Sequence, residues 1–107
     1  MNTQELDKIV SETMEQCKNL LIVKGGEYAG EGDRLANFKR GSELTGCRPL
    51  TVLAIYLSKH YDAFSTYVRD KEKGTDRPRS EDIRGRLDDL INYCLLAKAV
   101  IAEEEAK

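Results

Sequence analysis

Apolar residues return every three or four positions along three long stretches of the chain, and the breaks between those stretches are where polar chemistry collects. Leu6, Val10, Met14, Cys17 and Leu21 form the first series, which predicts a helix over about residues 3–23. Asn2 and Glu5 stand at capping-box spacing before it, and Gly25 and Gly26 predict its end. Leu35, Phe38 and Leu44 then suit a short helix that stops at Gly46. Pro49 opens a third, in which Leu50, Leu53, Leu57, Tyr61, Phe64 and Val68 keep the rhythm while Val52, Ile55 and Tyr56 broaden the apolar face. Ile83, Leu87, Leu90, Cys94, Ala97 and Ile101 define the last, with Ser80 as the expected N-cap and an acidic tail, Glu103 to Glu105, expected to fray.

No segment alternates apolar and polar residues as a strand does, so the pattern predicts an all-α fold: one helical domain over 1–107, a small bundle of three long helices plus one short. Two breaks interrupt it, a glycine-rich loop at 24–34 and a charged linker at 69–79. A thin bundle with broad apolar faces completes its core by association, which predicts a homo-oligomer.

Composition changes this picture little. Within 107 residues, 40% are apolar and 34% charged, a balance that suits a folded domain with a charged surface. The net charge of −2 provides no field for nucleic acid, and the basic residues form no stripe. No apolar run approaches eighteen residues and the first residues lack the order of a signal peptide, so the expected location is the cytoplasm, with no membrane partner. Three cysteines without a CxxC pair suggest neither a disulfide framework nor a zinc site; Cys17 and Cys94 are expected to be core thiols.

The glycine loop carries the first candidate chemistry. Four glycines fall within eleven residues, among Lys24, Glu27, Tyr28, Glu31 and Arg34, and ordering such a segment is costly unless something bound repays it. It contains no GxxxxGK[ST], no GxGxxG between strand and helix and no calcium-loop register. What it offers is general: backbone N–H groups, the cations Lys24, Arg34, Lys39 and Arg40, and Tyr28 and Phe38 for stacking on a flat ring.

The third and fourth helices carry polar residues that a plain bundle does not need. Lys59, His60 and Asp62 interrupt the third, Lys59 and Asp62 being spaced to pair with each other. On the fourth, Gly85 is costly in a helix interior and suggests a close approach, while Asp88, Asp89 and Asn92 crowd three poor helix formers into five positions beside Arg86. Solvent exposure or ordinary ion pairs would explain these residues equally well.

The ordered matches Lys24-Gly-x-Glu-Tyr, Asn37-Phe-Lys-Arg40, Lys59-His-x-Asp62 and Gly85-Arg-x-Asp-Asp-x-Ile-Asn-Tyr93 resemble small helical proteins of bacteriophages. More distantly, the chain resembles the all-α, MazG-like nucleoside-triphosphate pyrophosphohydrolases. That resemblance implies Mg²⁺ held by carboxylates from two helices, for which Glu27, Glu31, Asp62 and Asp88 are the metal-ligand candidates here, with Asp89 beside them. The family's ExxE and ExxD pairs are not reproduced: Glu27 and Glu31 are four apart, and neither Asp88 nor Asp89 has a Glu three residues before it.

Resemblance and site chemistry together lead first to a phage-type nucleotide-binding protein that sequesters a phosphate-containing small molecule, such as a host signalling nucleotide, in the host cytosol. Its ligand candidates are Lys24, Tyr28, Asn37, Phe38, Lys39, Arg40, Lys59, His60, Arg86, Asp89 and Asn92, with no cofactor required. The alternatives are a Mg²⁺-dependent MazG-like hydrolase and a helical protein-interaction module.

Overall fold

The structure is a computed structural model that describes residues 1–29 and 32–107, including every side chain in those ranges except those of Tyr28 and Ala29. Four helices follow in order: α1 (Thr3–Ala29), α2 (Ala36–Thr45), α3 (Pro49–Lys73) and α4 (Ile83–Glu105). There is no strand among the described residues. The all-α bundle of three long helices and one short is therefore the architecture, and no helix of the described residues is long and apolar enough to cross a membrane.

Local signals set several boundaries as expected. The Asn2 side chain accepts the Glu5 backbone N–H at 2.9 Å while the Glu5 carboxylate accepts the Asn2 backbone N–H at 3.1 Å, a reciprocal capping box that starts α1. Gly46 closes α2 in the left-handed conformation, φ 76°, which a β-carbon disfavours. Pro49 occupies the first turn of α3, where its missing N–H costs nothing.

Other boundaries differ. The first helix does not end at Gly25 and Gly26; it continues to Ala29, so Lys24 to Ala29 of the expected glycine loop are helical. At Gly25 a β-carbon would lie 2.7 Å from the Arg34 guanidinium carbon, the far end of a flexible side chain that can move aside. The expected charged linker also shortens, because α3 runs on to Lys73 before Gly74 caps it. The cap of α4 is Asp82 and not Ser80: its carboxylate accepts the Arg84 backbone N–H at 2.8 Å. The acidic C-terminal segment stays helical through Glu105, tied down by Lys39–Glu103 and Arg48–Glu104 ion pairs.

The linker that follows α3 is organised by a buried charge. Asp70, 3% exposed, receives Arg77 at 2.9 Å and Arg79 at 3.2 Å, and the Arg79 guanidinium lies 4.7 Å from the centre of the Tyr67 ring. A buried carboxylate is tolerable only when paired in this way. Its two arginines bring the chain back towards α3 before α4 begins.

Packing is concentrated where α2, α3 and the C-terminal half of α4 meet. Leu35, Phe38, Val52, Leu53 and Val100 form the buried cluster, with Leu57, Tyr93 and Leu96 packed against it. The α2–α3 crossing depends on Gly41, where a β-carbon would come within 2.7 Å of a Val52 methyl. Cys17 is a core thiol as expected, its Sγ 3.7 Å from the Asp88 carbonyl, whereas Cys94 is exposed. Burial raises the Cys17 pKa, and the neighbouring Asp88 and Asp89 charges add to that.

Candidate functional site

Where α1 leans across the start of α4, a cleft of about 230 Å³ opens above the core. Leu20, Leu21, Phe38 and Leu96 make its apolar wall, Lys24 and Arg34 its cationic side, and Asn37, Asp89, Asn92 and Tyr93 its polar and aromatic remainder. Positions 89, 92, 93 and 96 share one face of α4 because three and four residues complete a helical turn. Phe38 is placed by α2, whose short length and Gly41 contact bring it under the cleft.

Asn92 is the unusual member. It is 7% exposed, and its Oδ1 is buried without a hydrogen-bond partner among the described residues. Leaving a buried amide oxygen unpaired costs about 1–3 kcal/mol, and folded proteins rarely accept that without a reason. One turn earlier, Asp88 is 9% exposed, and burial followed by the neighbouring Asp89 charge raises its pKa from the usual carboxylate value.

Asp89 is held differently. Lys24 Nζ lies 3.3 Å from one of its oxygens and His60 Nδ1 3.5 Å from the other. His60 Nδ1 also lies 3.3 Å from the Arg86 guanidinium, which can only donate, so Nδ1 accepts and the imidazole proton resides on Nε2. Burial lowers the His60 pKa against the opposing pull of Asp89, with Arg86, Lys59 and Lys24 lowering it further, and the ring is neutral at pH 7. It stacks on Tyr93 at 5.3 Å between centroids, while Tyr93 meets Phe38 edge-on at 6.5 Å. Glu81 pairs with Arg86, which donates to His60 Nδ1 and sets the ring against Tyr93, while Lys24 holds Asp89; His60 Nδ1, already an acceptor, makes no hydrogen bond to the Asp89 carboxylate.

Of the predicted ligand residues, Lys24, Asn37, Phe38, Asp89 and Asn92 line this cleft, and His60 and Arg86 support it from behind. Lys39 does not belong to it: it is committed to Asp33 and Glu103 and lines a separate surface depression. Arg40 and Lys59 are exposed, and the Tyr28 side chain lies outside the described residues. The cleft also includes Arg34, Tyr93, Leu20 and Leu96, which the predicted set omitted. Arg34 and Tyr93 could have been found from the glycine break and from the i, i+4 spacing to Asp89; the leucines read as ordinary core.

The carboxylates proposed as metal ligands do not converge. No three His, Cys, Asp or Glu side chains among the described residues are placed to hold an ion, and Glu31 lies outside those residues. Glu27 is exposed on α1, Asp62 lines a second cleft beside Asp70, Arg77 and Arg79, and Asp88 is buried against α1. Gly85 has no atom within 4 Å of where a β-carbon would stand, so the close approach expected there does not occur among the described residues.

No protein family, curated protein or solved structure matches the chain. The cleft is therefore interpreted from its own chemistry.

Proposed function

We propose that this protein captures a nucleotide-type small molecule in the α1–α4 cleft, consistent with its resemblance to small phage proteins and with sequestration of a host signalling nucleotide. The observation that carries the reading is Asn92, whose Oδ1 is buried and unpartnered among the described residues and which lines a cleft together with Tyr93 and two cations. An amide that presents an acceptor and a donor side by side suits the edge of a heterocyclic base, whose exocyclic N–H would satisfy Oδ1. Tyr93, half-buried, supplies the aromatic surface, with the buried Phe38 ring packed against it.

The cleft volume is below the 300–1,000 Å³ or so of pockets that enclose a drug-sized ligand. It fits one ring, with sugar and phosphates at the rim. Lys24, half exposed, and Arg34 stand there as charge-assisted donors. A phosphate would compete with Asp89 for Lys24, leaving Asp89 to accept a ribose hydroxyl. Capture by such a site requires no nucleophile and no metal cage.

Titration calorimetry with a panel of mononucleotides, cyclic dinucleotides and ADP-ribose derivatives tests the reading. At least one member should bind with a micromolar or lower dissociation constant and lose at least about tenfold in affinity in Asn92→Leu. Silence from the whole panel at a millimolar concentration overturns it.

A further inference from the structure

We infer that the first half of α1 is a self-association surface, and that the occupant of its apolar stripe is a second copy of this chain. Residues 1–12 are all exposed, although Leu6, Ile9, Val10 and Met14 recur there at helical spacing and stand 51%, 47%, 50% and 45% exposed. The stripe is continuous with Cys17 and Leu20, which the same helix does bury or half-bury in the bundle. This half of the 27-residue α1 gains no tertiary burial and is held only by its capping box and by propagation from the packed half. A partner packed on the stripe would supply that burial.

The surface area identifies the occupant. A folded monomer of 12.1 kDa exposes roughly 6,000 Å². This chain exposes 7885 Å², about 1,900 Å² more. Its radius of gyration is likewise 16.2 Å, against about 13 Å for a compact domain of this length. Two copies that each lose the excess would bury about 3,800 Å² together, within the range of obligate homodimers. The deficit is built into the fold, so its remedy must be present whenever the chain is folded, and a second copy always is. Both signs of charge flank the stripe, with Lys8 against Glu5, Asp7 and Glu12, so a two-fold contact of the stripe with itself can set opposite charges side by side.

Light scattering and sedimentation equilibrium on the full chain test the assignment, independently of any ligand. The wild type should have the mass of two or more chains at micromolar concentration and melt at a temperature that rises with concentration. Val10→Glu with Met14→Glu should weaken self-association by roughly a hundredfold or more, because each buries a charge in the contact. Val10→Ala should weaken it by about tenfold with the fold intact, and Glu72→Gln, exposed on α3 away from the stripe, should leave the mass unchanged. A wild type that is monomeric with a cooperative, concentration-independent melt overturns the inference. So does an oligomer whose mass and melting are insensitive to every substitution in the stripe.

Discussion

Two buried polar groups on neighbouring helices have opposite surroundings. Asp70, near the end of α3, is closed off by Arg77 and Arg79, and its charge is matched on the spot. Asn92, in the middle of α4, has a buried oxygen with no partner among the described residues, and Asp88 one turn away is buried with its pKa raised. Both helices are exposed to the same solvent and built from the same kinds of residue. A matched buried group holds the chain together, whereas an unmatched one weakens the fold and suits a site completed by something else. The first cluster is a structural clasp; in the second, Asn92 lines the proposed ligand site and Asp88 lies buried beside it against α1.

The largest effect is expected at the clasp. Replacing both Arg77 and Arg79 by Ala leaves Asp70 buried and uncompensated, and should cost about 3 kcal/mol in urea unfolding. Little loss would mean that Asp70 rehydrates easily and that the clasp is ordinary surface pairing. The same magnitude of test applies to packing, since Gly41→Ala drives a β-carbon into Val52 and should cost about 1–3 kcal/mol.

At the site the sign should reverse. Asp88→Asn removes a buried charge and should raise stability at pH 7 by about 1 kcal/mol. Because the folded-state pKa of Asp88 is raised, its cost is complete above that value and fades as pH falls towards the ordinary carboxylate range, so the gain of the variant should shrink on acidification. His60 gives the opposite slope. Its folded-state pKa is lowered, so the contribution of the neutral ring is complete above the ordinary histidine value of about 6.5 and is lost as pH falls from there towards the lowered value. Thermal melts from pH 7.5 to 5 should show a decline that His60→Gln removes. The smallest effect is expected at Gly85→Ala, which meets no neighbour among the described residues and should add about 0.5–1 kcal/mol by helix propensity alone.

Much of the frame was legible before the structure, because caps and periodicity are local: the Asn2–Glu5 box, Gly46, Pro49 and the four helices fall where spacing put them, while Leu44 and Cys94 of the apolar series are exposed. The polar crowding on α4 was legible too, since Asp and Asn are out of place in a helix interior. What spacing could not show was which helix each polar face meets. The first helix runs through a glycine pair that reads as a stop, with the Arg34 guanidinium lying over Gly25. Asp70 reads as one charge among many in a linker until two arginines beyond Gly74 turn back onto it. Lys39 resembles a phosphate ligand in sequence and is spent on two carboxylates in space, one of them 64 residues away.

The central claim is that the unmatched amide on α4 is a ligand site and not a packing defect. The most direct test is to measure stability and binding together in Asn92→Leu. The account predicts a free protein more stable than wild type by about 1 kcal/mol, and a loss of at least about tenfold in affinity for the nucleotide that the wild type binds. A variant that binds that nucleotide as tightly as the wild type would contradict it.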